Sequence, residues 1–280
     1  MESPAPSLEE IRRQIDALDE RIHDALIARA QLAAQVRAAK GAGGATLRPG
    51  READILRRLV ARNHGPLPAA VVVRIWREIM TANSRLQGPF SVAVATVAAG
   101  GQGVELARDH FGMLTGLQPV ASASRALSAL AEGRAQVALV PLPADTPDDP
   151  WWRGLGAGAA PHLSIVARVP FVADMRGGAL LVGGQAFDPS SRDCGFAIIE
   201  TPAELSQARM RETFEKAGIG VHSFPAAIDD AAGASLQLVE LSAYISQADP
   251  RLARLAAALG DGAHVRSVGG YAVPIDPARG

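Results

Sequence analysis

Cysteine is almost absent from this chain of 280 residues, where Cys194 stands alone. It has no partner for an internal disulfide, which excludes a disulfide-stapled scaffold and fits a cytosolic compartment. No apolar run approaches the roughly 18 uninterrupted residues that a membrane span needs. The opening Met1-Glu2-Ser3-Pro4, followed by Glu9, Glu10, Arg12 and Arg13, offers no apolar core for a signal peptide. A soluble, cytoplasmic protein is therefore expected. Metal-ligand spacing is missing as well: His110, His162, His222 and His264 are scattered, as structural or surface histidines are. Nor is there the dense basic stripe that a long nucleic acid requires.

Charge is instead divided between segments. Residues 1–90 carry 14 Lys or Arg against 10 Asp or Glu, whereas residues 91–280 carry 14 against 19. A modest basic excess at the front suits a small anionic molecule. Hydrophobic residues make up 48% of the chain, enough for buried cores, and the length points to two domains or to one with a large attachment.

Ser7-Leu8-Glu9-Glu10 forms a capping box, with Ser7 accepting an early helix amide. Leu8, Ile11, Ile15, Leu18, Ile22, Leu26, Ala33 and Val36 then recur mostly three and four apart, which predicts one long amphipathic helix ending at Gly41, Gly43 and Gly44. A rod of about 50 Å cannot bury its apolar stripe against itself and needs partner helices. A second helix is expected from near Arg51 through Ile55, Leu56 and Leu59. A third follows Pro68 and runs through Val72, Ile75, Trp76, Ile79, Met80 and Leu86 to Gly88-Pro89. The apolar surface left over predicts a homodimer. Arg29 and Lys40 stand eleven residues apart, about three turns, and so share a face, whereas Arg12 is turned about 100 degrees away from Arg29. If all three touch one ligand, Arg12 reaches it from another subunit. Asn83 and Gln87 form an i,i+4 pair of amides. Each of these residues alone would merely decorate a helix; their combination carries the argument.

These landmarks resemble the all-helical chorismate mutases, in particular the mutase segment of bifunctional chorismate mutase/prephenate dehydratases. The resemblance rests on the opening helix Ile11-Arg12-Arg13-Gln14-Ile15-Asp16-Ala17-Leu18-Asp19 and on Arg29 followed by Val36, Ala39 and Lys40. Arg51-Glu52 ahead of Ile55-Leu56, and Trp76-Arg77-Glu78-Ile79-Met80 ahead of Asn83 and Gln87, complete it. It implies that Arg12 and Arg29 hold substrate carboxylates, with Arg12 crossing from the partner chain. It further implies that Lys40 and Gln87 donate to the ether oxygen, that Glu52 accepts from the ring hydroxyl, and that Arg51 lies beside the pocket. Two positions depart from the family: Asn83 stands where serine or alanine is usual, and Arg48 where an acid often binds the hydroxyl. The implied reaction needs no metal or organic cofactor.

Beyond Pro89 the texture becomes α/β. Strands are expected at Val92 to Ala95, Val137 to Pro141, Leu163 to Val169, Gly178 to Val182 and Phe196 to Ile199, with helices at Val104 to Phe111 and Ala126 to Glu132. Gly100, Gly101 and Gly103 lack the dinucleotide spacing and read as a tight turn. Trp151-Trp152 sits in a Pro/Gly/Asp-rich excursion, as a loop anchor or a contact patch, and Cys194 reads as a small packed residue. The stretch from Ala126 to Pro141 resembles part of a prephenate dehydratase. However, Leu142-Pro143-Ala144 replaces an acidic-polar substrate motif, and Ser191-Arg192-Asp193 keeps only the arginine of a Thr-Arg-Phe motif. Dehydratase activity is not expected. Helices at Ala203 to Ala217 and Pro250 to Leu259, with strands at Ser235 to Leu241 and Val265 to Tyr271, resemble an ACT domain and imply an aromatic amino acid effector or retention for structure alone.

The expected architecture is multidomain: an all-α three-helix domain over 1–89, a reduced dehydratase-like α/β region over 90–200 and a small ACT-like α+β domain over 201–280. The expected function is chorismate mutase acting on chorismate to give prephenate. A noncatalytic sensor or partner-binding protein and, more weakly, a bifunctional mutase and dehydratase stand as alternatives.

Overall fold

A computed structural model describes residues 6–40, 47–86, 88, 90–146, 148–156, 162–173, 177–202, 205–229 and 234–276, apart from the side chains of residues 37, 39 and 40. Its contacts divide the chain into two units, Met1–Thr46 with Ala82–Gly88, and Leu47–Thr81 with Pro89–Gly280. Among the described residues no helix is long and apolar enough to cross a membrane.

The first unit is dominated by α1 (Leu8–Lys40), one continuous helix of 33 residues as the periodicity requires. Ser7 caps it, its Oγ accepting from the Glu10 amide at 3.2 Å. Its stripe of Leu8, Ile11, Ile15, Leu18, Ile22 and Leu26 is exposed by 38% to 63% among the described residues.

In the second unit, α2 (Pro49–Arg62) begins with proline in its first turn, where the missing amide is no loss. The next helix, α3 (Ala69–Arg85), contributes its first thirteen residues to the same unit. Ala53 and Leu56 of α2 and Val73 and Met80 of α3 share a core with Phe171, Ala272 and Ile275. The second and third helices thus pack on residues far downstream.

A sheet follows, from β1 (Ser91–Ala95), the short turn α4 (Ala98–Gly101), α5 (Gly103–Phe111), β2 (Gly116–Val120), α6 (Ala123–Ala131), β3 (Val137–Pro141), β4 (Ser164–Val169) and β5 (Ala179–Gly183). β1 runs parallel to β2 and β3, while β5 is antiparallel to both β3 and β4. Gly100 and Gly101 adopt φ of +65° and +94°, so these glycines serve the turn into α5. α6 and the buried Trp151 and Trp152 join one core and α5 another, each with the apolar runs of β1, β3 and β5. The tryptophan pair is an anchor.

The remaining elements are β6 (Asp193–Thr201), α7 (Gln207–Lys216), β7 (Val221–Asp229), β8 (Ser235–Leu241), α8 (Pro250–Leu259) and β9 (His264–Ala272). This βαββαβ run forms an antiparallel sheet in the order β9-β6-β8-β7, with α7 and α8 packed on Ala197, Ile199, Val239 and Leu241. The pairing of Ile165 with Gly269 joins the two sheets into nine strands. A Cβ at Gly269, where φ is +103°, would stand 2.0 Å from the Ile165 carbonyl oxygen, so only glycine fits the joint. Cys194 is buried and burial pushes its thiol up, in keeping with a packed, unreactive side chain.

Candidate functional site

The residues named from the sequence fall into both units. Arg12, Arg29 and Asn83 belong to the first, Arg12 exposed and the other two half-buried. Because α1 is unbroken, the Arg29 and Lys40 positions lie within about 20 degrees of each other around its axis, with Arg12 turned about 100 degrees away. Gln87 and the Lys40 side chain lie outside the described residues.

Arg48, Arg51 and Glu52 belong to the second unit, at the start of α2. Asp188 gathers this helix end. Arg48 Nε donates to Asp188 Oδ1 at 3.0 Å and the Arg51 amide donates to Oδ2 at 3.2 Å. A carboxylate there meets the positive end of the helix dipole and raises the Arg48 guanidinium pKa through that hydrogen bond. The Arg48 cation is thereby neutralised within the chain. Contact is close enough that a Cβ on Gly50 would come 2.1 Å from the Asp188 carbonyl oxygen.

Glu52 faces Arg77 of α3. Arg77 Nη1 donates to Glu52 Oε2 at 2.8 Å, and the two side chains are only 15% and 8% exposed. Burial pushes the Glu52 carboxyl up and the Arg77 guanidinium down, and the attraction between them opposes both shifts. Arg77 Nε has no hydrogen-bond partner among the described residues. Phe171 presents its ring 5.4 Å from the Arg77 guanidinium carbon and 5.6 Å from that of Arg57. His110 of α5 is buried nearby. Desolvation, aided by the Arg77 charge, holds its imidazole well below the ordinary 6.5, so it is neutral.

Two hollows meet at these side chains. One, of about 10 Å³, touches Glu52, Arg77, His110 and Arg168, and is the size of a single water. The other, of about 270 Å³, opens between α3, α5 and the segment 170–172, with Arg77, His110 and Phe171 on its wall. Next to them Arg57 ties α2 down: Nη1 donates to Ser190 Oγ and Nη2 to the carbonyls of Arg192 and Val273, each at 2.8 Å.

Sequence reasoning missed Arg57, Arg77, His110 and Asp188 as site residues. Arg77 stood inside the Trp76-to-Met80 landmark, which was its one signal; Asp188 and Arg57 find each other's neighbourhood only through tertiary contact.

Comparison with known proteins bears on the first third of the chain. Residues 11–88 match the family model of chorismate mutase type II, so this segment carries a chorismate mutase domain. The bifunctional chorismate mutase/prephenate dehydratase of Stutzerimonas stutzeri is 32% identical over 149 residues, covering 50% of this chain and 40% of that protein. Its counterpart in Pseudomonas aeruginosa is 33% identical over 144 residues, covering 48% and 38%. The chain thus spans well under two thirds of the length of these relatives. Among solved structures, prephenate dehydratase from Streptococcus mutans superposes with a TM-score of 0.47 at 15% identity, covering 66% of this chain and 98% of that one.

Proposed function

We propose that the protein is a chorismate mutase, converting chorismate to prephenate. The family match over residues 11–88 carries this reading, supported by the continuous α1 that keeps the Arg29 and Lys40 positions on one face. The reaction is a concerted [3,3] shift in which a carbon–oxygen bond breaks as a carbon–carbon bond forms. No nucleophile and no proton transfer are needed. The protein holds a flexible dianion in the reactive chair and stabilises negative charge developing on the ether oxygen.

In this reading Arg12 and Arg29 clamp the two carboxylates through their planar forks, and Lys40 and Gln87 donate to the ether oxygen. Glu52 accepts from the ring hydroxyl, with Arg51, Arg48 and Asn83 bordering the substrate. Arg77 acts as a positioning residue, because its charge favours the ionised, accepting form of Glu52. The exposed stripe of α1 is covered by a second copy, and Arg12 serves the partner's site.

We read residues 90–200 as a reduced dehydratase-like region without dehydratase activity. The following ACT-like domain, residues 201–280, is retained for structure, with an aromatic amino acid as the effector class to test. One observation favours a noncatalytic sensor instead: Arg48 and Glu52 are already engaged by Asp188 and Arg77.

Incubation of purified full-length protein with chorismate, with assay of both prephenate and phenylpyruvate, decides among these readings. Prephenate alone is the expected product. Phenylpyruvate would establish a bifunctional enzyme, and chorismate binding without turnover would establish the sensor.

A further inference from the structure

The cavity of about 270 Å³ in the second unit has no role assigned in the mutase reading, although Arg77 on its wall positions Glu52 there. Its wall is built from Val71, Arg74 and Arg77 of α3, Leu106 and His110 of α5, and Phe171. Most of that surface is apolar, so water gains little there and an apolar body gains much. The volume suits a compact molecule of about eight to fifteen non-hydrogen atoms, below the usual drug size.

Three polar features determine what such a molecule must carry. The first is Arg77, only 6% exposed. Its guanidinium lines the cavity with Glu52 engaged through Nη1, and Nε–H, itself closed off from solvent, has no acceptor among the described residues. The natural complement of such a buried guanidinium is an anionic oxygen. The second is Arg74, whose side chain is 67% exposed and which meets Asp109 through a contact of 3.5 Å. That loose pairing leaves Arg74 able to turn toward a second carboxylate. The third is His110, which burial keeps uncharged, so the wall presents no second cation to be matched at depth. The wall's one carboxylate, Asp109, is already paired with Arg74.

We propose that this cavity is a binding site for a small monocarboxylic acid with an aromatic or branched aliphatic body. The carboxylate bridges the Arg77 and Arg74 guanidinium groups, and the body lies on Val71, Leu106 and Phe171. The site shares Arg77 with the mutase reading, where that residue positions Glu52, and takes in none of the residues assigned to contact chorismate.

Calorimetric titration of the full-length protein with phenylacetate and with 4-methylpentanoate tests the assignment. At least one acid is expected to bind saturably with a Kd of about 1 mM or tighter, the range for a ligand of this size. Val71→Trp fills the cavity while leaving Glu52 and Arg77 in place, and is expected to weaken binding at least about tenfold. Arg74→Gln and the neutral isostere 2-phenylacetamide should each cost about three- to tenfold, reporting the carboxylate. Arg29→Ala leaves phenylacetate binding unchanged, which separates this cavity from the mutase site. The proposal is overturned if folded protein binds neither acid below about 10 mM, if Val71→Trp binds them as before, if the amide binds as tightly, or if Arg29→Ala abolishes binding.

Discussion

Glu52 and Arg77 sit 25 residues apart in sequence, on different helices, yet meet at 2.8 Å with both side chains largely out of water. Such a pair gives little net stability when intact, because both charges lose their hydration. Breaking it is another matter. Removal of one partner strands the other charge, typically at about 3–5 kcal/mol.

Arg77→Met is therefore expected to destabilise the protein by about 3 kcal/mol near neutral pH, read from urea denaturation. The loss has a definite pH dependence. Burial already raises the Glu52 carboxyl pKa, and Arg77 opposes that rise. Without Arg77 the folded-state value climbs further, so the folded state holds its proton more tightly than the unfolded chain. Stability is then fully present below the unfolded carboxyl value and is lost as pH rises through the higher folded one. The variant should fall further behind the parent at pH 8 than at pH 5. Adding Glu52→Gln should remove most of that pH dependence; an unchanged gap across this range would show that Glu52 is not the stranded charge.

His110 supplies the opposite slope. Its imidazole is held well below 6.5 by burial and by Arg77, so the folded state resists protonation. This contribution is present above the unfolded imidazole value and is lost as pH falls through it toward the depressed folded one. The parent should lose urea resistance between pH 7 and pH 5, while His110→Leu should show a flatter profile over the same interval. Equal slopes would place the acid sensitivity in other groups.

How much of this was legible depends on burial. The continuous α1 follows from Leu8, Ile11, Ile15, Leu18 and Ile22 at helical spacing, although the stripe is exposed in the chain itself. Central strands such as β3 and β5, buried at every position, announce themselves as apolar runs. β2 and β7 do not. They are the two edges of the nine-stranded sheet, carry Pro119 and Pro225, and are half-exposed, so neither alternation nor an apolar run marks them. At the site, Glu52 and Arg48 were marked by resemblance, whereas Arg77 appeared only inside a landmark with no role given and Asp188 not at all. Ion pairing between α2 and α3, or between α2 and the residue 188 turn, leaves no periodic trace in the sequence. β6 reads as a strand from its composition, whereas its pairing with β8 and β9 is a matter of topology alone.

The proposed crossing of Arg12 between subunits leads to the sharpest test of the mutase reading. On a continuous helix Arg12 is turned about 100 degrees from Arg29, so one copy of α1 cannot present both to a single ligand from the same face. Arg12→Ala and Arg29→Ala, each alone, should lose at least about a hundredfold in kcat/KM, because each removes a charge-assisted carboxylate clamp. In an exchanged equimolar mixture, half the dimers are mixed. Each mixed dimer then has one site carrying both changes and one carrying neither, so activity should return to about a quarter of the parent's. Recovery of that size requires the two arginines of one site to come from different chains. If exchange is verified by mass and activity stays at the level of the single variants, Arg12 and Arg29 serve the same site from one chain, and the exposed apolar face of α1 has a purpose other than completing the site.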